Sequence, residues 1–412
     1  VEAGEVARAR VEVVDAETLR GAEALLAQVR EGGEPALRAL AERWDGLPSG
    51  APLCLGREAL GEAWEALDAD ARGVLERTAG RVERFARAQR AALRDVEVAI
   101  PGGAAGHTVR AVERAGCYAP GGRFPLPSSV LMTAVTAKAA GVERVWVASP
   151  KPSLATRAAA WIAGAEGLLC AGGAHAIGAL AFGVGEVPRC DVVVGPGNRW
   201  VTAAKKLVAG HVGIDMLAGP SELLVLADDS ADPEMIAADL LAQAEHDTDA
   251  APLLVSLDPA LLPKVEAALA RQLADLPSAQ TARAALQGQG FAVVAGSEAE
   301  ALALCDEIAP EHLQVMVRDP QAWASRLRHY GGLFIGAQSA EVLGDYGAGP
   351  NHTLPTSGTA RRTGGLSVLH FLAVRTWLRM DEGDPSLTAD AAALGRIEGL
   401  EAHARAAERR LR

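Results

Sequence analysis

Cys190-Asp191-Val192-Val193-Val194-Gly195-Pro196-Gly197-Asn198 is a short apolar run closed by a glycine turn, after which a helical pattern occupies 198–209. An apolar run of this length bounded by turn residues fits a strand buried on both faces. The same unit repeats upstream. A helix at 128–140 precedes a strand at 144–148, and a helix at 154–164 precedes a strand at 168–171 and a helix at 174–182. Near-continuous apolar strands separated by helices of this length indicate βαβ units on a parallel sheet, and so an α/β, doubly wound domain.

In such sheets ligands bind beyond the carboxyl ends of the strands, where glycine turns open onto helix N-termini. Three turns of that kind occur here: Pro120-Gly121-Gly122, Gly172-Gly173 before Ala174-His175, and Gly195-Pro196-Gly197-Asn198. None has the G-x-G-x-x-G spacing, so each is also compatible with a plain tight turn.

Alternation resumes after Gly219-Pro220-Ser221. Strands are expected at 222–227, 252–257, 291–295, 313–317 and 332–335, with helices at 233–246, 298–308 and 321–330. A second α/β domain thus fills roughly 221–336. Just past its last strand lies Gly344-Asp345-Tyr346-Gly347-Ala348-Gly349-Pro350-Asn351-His352-Thr353-Leu354-Pro355-Thr356, where a ligand crevice is expected. Its glycines and prolines exclude a helix or a long strand, and glycine lets backbone approach a ligand closely. The plainer alternative is a surface turn whose Asp345 and Asn351 satisfy their own backbone.

The flanks read differently. From 16 to 96 the chain has the spacing of amphipathic helices, broken at Gly32-Gly33-Glu34-Pro35 and at 45–52, and its charge run at 81–94 reads as a solvated face. After Thr363 an apolar helix is expected at 369–377, then a Gly-Asp-Pro break and a polar helix from 387 to the end. Such a tail is too small to fold alone and should pack on a neighbouring domain or a partner subunit.

The chain has 412 residues, 22% of them charged, and a formal net charge of -12, which disfavours nucleic acid or an anionic membrane as the main partner. No apolar run reaches the length of a bilayer span, and the opening Val1-Glu2-Ala3-Gly4-Glu5 lacks a basic-then-apolar signal, so a cytoplasmic location is expected. The five cysteines are scattered without CxxC spacing and read as small buried hydrophobes.

Two segments carry acid-base or ligand chemistry. Gln243 and His246 are spaced i, i+3 near a helix end, an arrangement that suits a divalent metal, although a histidine there is also favoured by the helix dipole. In Pro310-Glu311-His312-Leu313 an adjacent acid and base join a helix to a strand, where both can reach one cavity; the alternative is an ordinary polar cap.

Taken in order, Pro120-Gly121-Gly122 with Ser129-Val130-Leu131-Met132, Gly195-Pro196-Gly197-Asn198, Asp215-Met216 with Ala218-Gly219-Pro220-Ser221-Glu222, Gln243-Ala244-Glu245-His246, Pro310-Glu311-His312-Leu313, Gly344-Asp345-Tyr346 and Asn351-His352 with Leu354-Pro355 resemble the histidinol dehydrogenase family. The resemblance runs from about 115 to the end and less distinctly through the helical start.

That resemblance implies two incomplete Rossmann-like domains, 118–220 for the nucleotide and 221–364 for zinc and substrate. It adds an N-terminal extension at 1–20, a helical region at 21–117 packing on the second domain, and a C-terminal arm at 365–412 exchanged in a homodimer. It further implies oxidation of L-histidinol to L-histidine through the aldehyde with two NAD reduced, one Zn2+ per subunit, and shared active sites. The implied zinc ligands are Gln243, His246, Asp345 and, from the other subunit's arm, His403. Substrate contacts fall on Ser221, Glu311, His352 and Glu398 as well as on the metal ligands, and NAD contacts on Tyr118, Asn198 and His175. His175 stands where the family pattern has glutamine.

The chemistry of the residues agrees. Oxidising an alcohol needs a base for the hydroxyl proton, for which His312 has a suitable ordinary pKa, and oxidising the aldehyde needs water, which Glu311 next door could deprotonate. Zinc accepts the nitrogens of such a substrate and would serve chiefly to orient it. Three other readings use the same residues: a thiohemiacetal route through Cys117, a zinc hydrolase, and a two-lobed small-molecule binding protein.

Overall fold

A computed structural model describes residues 14–121 and 125–411. The expected extension at 1–20 falls mostly outside them, as do Gly122 and Arg123 of the first glycine turn.

The first α/β unit is built on a six-stranded sheet in which Gly167–Leu169, Arg144–Ala148, Arg114–Tyr118, Val192–Val194 and Gly213–Ile214 run parallel, in that order. The antiparallel strand Cys54–Gly56 caps one edge. It comes from the helical region and was not foreseen, being only three residues long. The second unit is a five-stranded, wholly parallel sheet in the order Phe291–Val294, Ala251–Ser256, Glu222–Ala227, His312–Met316, Gly332–Ile335. Both sheets carry apolar cores on both faces, as their unbroken apolar strands demand.

The helical region packs mainly on the first sheet, contrary to the expectation that it covers the second. Helix Ala16–Leu40 lies on helices Gly173–Phe182 and Arg199–Val208, and helix Arg57–Ala66 lies on Leu154–Ile162. The reason is complementarity. Helix Gly173–Phe182 is apolar around most of its circumference and almost entirely buried, so it needs an outer layer, which Leu26 and Val29 provide against Gly178. The expected break at 32–35 is present: Gly33, at φ 60° and ψ -147°, is not helical and joins two helices across a kink within Ala16–Leu40.

A third, antiparallel sheet is formed by Leu372–Met380, Gly103–Ala111 and Val96–Ile100. The apolar helix expected at 369–377 is therefore one short turn, Val368–Phe371, followed by a nine-residue strand. Val374, Thr376 and Trp377 favour the extended form, and pairing with Gly106 lets the Trp377 ring lie where any Cβ on Gly106 would collide with it. Beyond it, Pro385–Ile397 and Glu401–Glu408 form a helical hairpin. This sheet and hairpin leave large apolar side chains uncovered, including Val374 at 62%, Leu378 at 66% and Ile397 at 82% exposure.

Candidate active site

A cleft of about 2240 Å³ lies between the two α/β units. On the first side it is lined from the carboxyl ends of the strands: Tyr118 ends strand Arg114–Tyr118, Pro150 and Lys151 follow Arg144–Ala148, Gly173 and His175 follow Gly167–Leu169, and Pro196, Gly197 and Asn198 follow Val192–Val194. On the second side it is lined from the opposite ends. Ser221 and Glu222 open strand Glu222–Ala227, Glu311 and His312 open His312–Met316, and His246 precedes Ala251–Ser256. The crevice rule thus holds for the first sheet and is reversed for the second. The loop at 344–356 reaches the amino ends because helix Glu341–Asp345 returns after strand Gly332–Ile335.

The glycine turns are close to obligatory. Gly195 has φ +120°, and a Cβ there would lie 2.1 Å from the Tyr118 carbonyl oxygen. Asn198 lines the cleft, yet its side-chain Oδ1 is used as a helix cap, accepting from the Trp200 and Val201 amides at 3.0 and 3.2 Å. The Tyr118 hydroxyl accepts from the Gly173 amide at 3.2 Å, and burial pushes its phenol up to about 12. His175 is buried, its Nε2 2.7 Å from Asp45 Oδ2.

Glu311 and His312 are both buried. The Glu311 carboxylate accepts from the Glu222 amide at 2.9 Å, and burial, only partly offset by His312, pushes its carboxyl up to about 8. His312 donates from Nδ1 to the Glu222 carbonyl at 2.9 Å, which fixes the tautomer and leaves Nε2 without a hydrogen-bond partner. Burial alone would lower its pKa, but Glu341, Glu311 and Asp345 together hold it well above the ordinary histidine range. Their oxygens lie 3.6, 3.7 and 3.6 Å from the ring nitrogens. His352 donates to the Asp345 carbonyl at 2.9 Å and lies 3.4 Å from Ser129 Oγ, and burial lowers its pKa, so it is neutral near pH 7.

Glu341 escaped the sequence reading. It stands four residues before Asp345, on one face of the same short helix, and this i, i+4 spacing of acids was the available signal. His312, Glu341 and Asp345 place donor atoms within 4.8 Å of one another. Of the expected metal ligands, Asp345 and His246 line the cleft. Gln243 is fully buried with both amide atoms unpartnered, on helix Pro233–Ala244, which packs on helix Glu341–Asp345. An amide buried with neither end satisfied is costly, so a cation accepting its oxygen fits this site. Glu398 and His403 are exposed on the arm and are not among the residues lining the cleft of their own chain.

Cys117 is fully buried, its thiol pushed up to about 12 by burial, and it is not among the lining residues. It cannot serve as a thiolate nucleophile near neutral pH. That removes the thiohemiacetal alternative at this residue.

Known proteins bear on the chain as a whole. The chain is 50% identical over 96% of its length to histidinol dehydrogenase from Thermus thermophilus, covering 94% of that protein. It is 44% identical over 94% of its length to the Pseudomonas aeruginosa histidinol dehydrogenase, covering 89% of it. The crystal structure of histidinol dehydrogenase from Elizabethkingia anophelis superposes with a TM-score of 0.93 at 29% identity, over 99% of this chain and 95% of that one. A betaine aldehyde dehydrogenase from Staphylococcus aureus reaches a TM-score of 0.50 at 13% identity over 88% of each chain, a likeness of fold alone. The sequence model for histidinol dehydrogenase matches residues 8–411, and the chain belongs to the histidinol dehydrogenase family.

Proposed function

We propose that this enzyme oxidises L-histidinol to L-histidine through L-histidinaldehyde, with two NAD reduced in turn, as the last step of histidine biosynthesis. The observation that carries the reading is the cleft itself. Across it the glycine turns of one sheet face Glu311, His312, Asp345, His246 and His352 from the other.

In the first oxidation His312, once it has lost the proton that Glu341, Glu311 and Asp345 favour, takes the hydroxyl proton at Nε2, and NAD would accept the hydride of the carbinol carbon. The Glu222 carbonyl holds Nδ1 throughout, so the ring does not turn between half-reactions. In the second, Glu311 deprotonates the water that adds to the aldehyde; a second NAD would accept the hydride of the resulting hydrate, and His312 takes its hydroxyl proton. To act so Glu311 must first lose the proton that burial favours, and His312 beside it is the charge that helps it do so. General-base assistance of this kind contributes about 10²–10⁴-fold.

Gln243, His246 and Asp345 would hold Zn2+, with His403 of a second subunit's arm completing the set. The ion would supply an anchor for the imidazole and amino nitrogens of the substrate. Ser221, His352 and, from the exchanged arm, Glu398 would line the remainder of the substrate. Tyr118, His175 and Asn198 would border the NAD. The uncovered apolar faces of the three-stranded sheet and the arm support a homodimer, since exposed contiguous apolar surface marks an interaction site.

The test is one sample assayed for zinc content and for absorbance of reduced nicotinamide with histidinol and NAD. Stoichiometric zinc with two reduced nicotinamides per histidinol supports the reading. Absence of both would sink it, and zinc with hydrolysis in place of NAD reduction would favour a hydrolase.

A further inference from the structure

Asp45 is a polar side chain at the cleft that the mechanism does not use. Asp45 belongs to the helical region, which the sequence suggested was scaffold. It ends the widened turn Ala41–Asp45, and Gly46 follows in the left-handed conformation at φ 61°. This reversal delivers the carboxylate, its side chain only 11% exposed, into the wall of the cleft.

Asp45 Oδ2 makes two contacts there. It accepts from the Gly172 amide at 2.9 Å and lies 2.7 Å from His175 Nε2. Gly172 is a glycine for a reason: a Cβ on it would lie 2.8 Å from Pro150 and 3.1 Å from the Asp45 carboxylate. One carboxylate thus pins the start of helix Gly173–Phe182 and the ring on its first turn. The next amide, Gly173, donates to the Tyr118 hydroxyl, so the three lining groups Asp45, His175 and Tyr118 form one connected set.

We propose that Asp45 is a positioning residue of the dinucleotide site, setting both the turn Gly172-Gly173 and the tautomer of His175. The proposal rests on the reading of this cleft as an NAD site. With Nε2–H committed to the carboxylate, the neutral tautomer that this geometry selects has its acceptor at Nδ1, suited to a hydroxyl or amide donor of the dinucleotide. A glutamine at this position would carry donor and acceptor on one freely rotating amide and would need no such partner to choose between them. The histidine does. Asp45 therefore matters more to this chain than it would beside a glutamine.

The experiment compares wild type, Asp45→Ala, His175→Gln and the double variant. NAD binding to the zinc-loaded enzyme is measured by calorimetry without histidinol, and steady-state KM and kcat are measured for both substrates. Losing a hydrogen bond to a charged group predicts NAD binding weakened about tenfold or more in Asp45→Ala. KM for NAD should rise with it, while KM for histidinol and kcat at saturating NAD move less than about twofold. In the His175→Gln background the same substitution should cost clearly less. Equal cost in both backgrounds, unchanged NAD affinity, or a parallel loss for histidinol together with a lower melting temperature would each overturn the assignment. Wild-type enzyme that neither binds nor reduces NAD would instead sink the parent reading.

Discussion

Lys205 offers a quantitative test of how the first sheet's side of the cleft, the proposed nucleotide side, is held. Its ammonium pairs with the Asp215 carboxylate where the two side chains are 2% and 0% exposed. The pair grips one residue from both sides: Lys205 Nζ donates to the Gly195 carbonyl at 3.0 Å, and Asp215 accepts from the Gly195 amide at 2.8 Å. Gly195 is the residue at φ +120° that opens the Gly195-Pro196-Gly197 turn. Lys205→Met keeps the stem's volume and strands the carboxylate. Breaking a buried pair from one side costs about 3–5 kcal/mol, a large share of the roughly 5–15 kcal/mol that holds a typical domain. Lys205→Met with Asp215→Asn removes the stranded charge while the asparagine oxygen can still accept from Gly195. It should recover at least about half of the loss. Urea unfolding followed by circular dichroism gives the stabilities, and calorimetry with NAD tests the turn. A Lys205→Met loss under about 1 kcal/mol, or a double variant no more stable than the single, would refute the view that charge pairing fixes this turn.

Exchange of the arm predicts complementation: mixing His403→Ala with Asp345→Ala subunits, each inactive alone, should restore about a quarter of wild-type activity, because half of randomly formed dimers carry one intact site of two. No recovery after verified subunit exchange would mean that each site is built within one chain. Glu311→Gln should slow oxidation of the aldehyde by about 10²-fold or more and oxidation of the alcohol far less, measured by supplying each separately; equal losses would remove Glu311 from water activation. Cys117→Ala should retain near-normal turnover, and iodoacetamide at pH 8 should leave Cys117 unlabelled in the folded protein by mass spectrometry, since burial holds its thiol up at about 12. Rapid labelling with loss of activity would reopen a thiol route.

The strands of the second sheet and three of the first were legible because each is an apolar run flanked by helices, whereas Arg114–Tyr118, which opens on an arginine, and the two-residue Gly213–Ile214 were not read as strands. The strands expected at 144–148 and 291–295 are found at Arg144–Ala148 and Phe291–Val294. The third sheet was not legible. Its strands Gly103–Ala111 and Leu372–Met380 lie some 260 residues apart, and each is half exposed, so neither shows a buried run or a clean alternation. Glu341 and Asp45 went unread for another reason. An acid on a helix or at a turn reads as solvated surface until something shows that it points inward.

Which ends of the sheets meet is also a property no local pattern encodes. The crevice rule treats each sheet alone and sends the ligand to the carboxyl ends of both. Here one sheet presents its carboxyl ends and the other its amino ends, and bonds between remote segments fix that arrangement. Asn351 donates to the Met132 carbonyl at 2.8 Å, Arg81 to the Gly347 carbonyl at 2.7 Å, and the Gly219 amide to Thr356 Oγ1 at 2.6 Å. Arg81 belongs to the charge run that reads in sequence as a solvated face, yet it holds the loop that carries Asp345 and His352. The arrangement has a chemical consequence. Carboxyl ends offer glycine turns and helix N-termini, which suit phosphates. Amino ends offer the residues that enter each strand, and at His312 the Glu222 carbonyl of the neighbouring strand accepts from Nδ1 and orients the ring. Joining unlike ends would let one cleft hold the proposed dinucleotide against glycine turns on one side and an acid-base pair on the other.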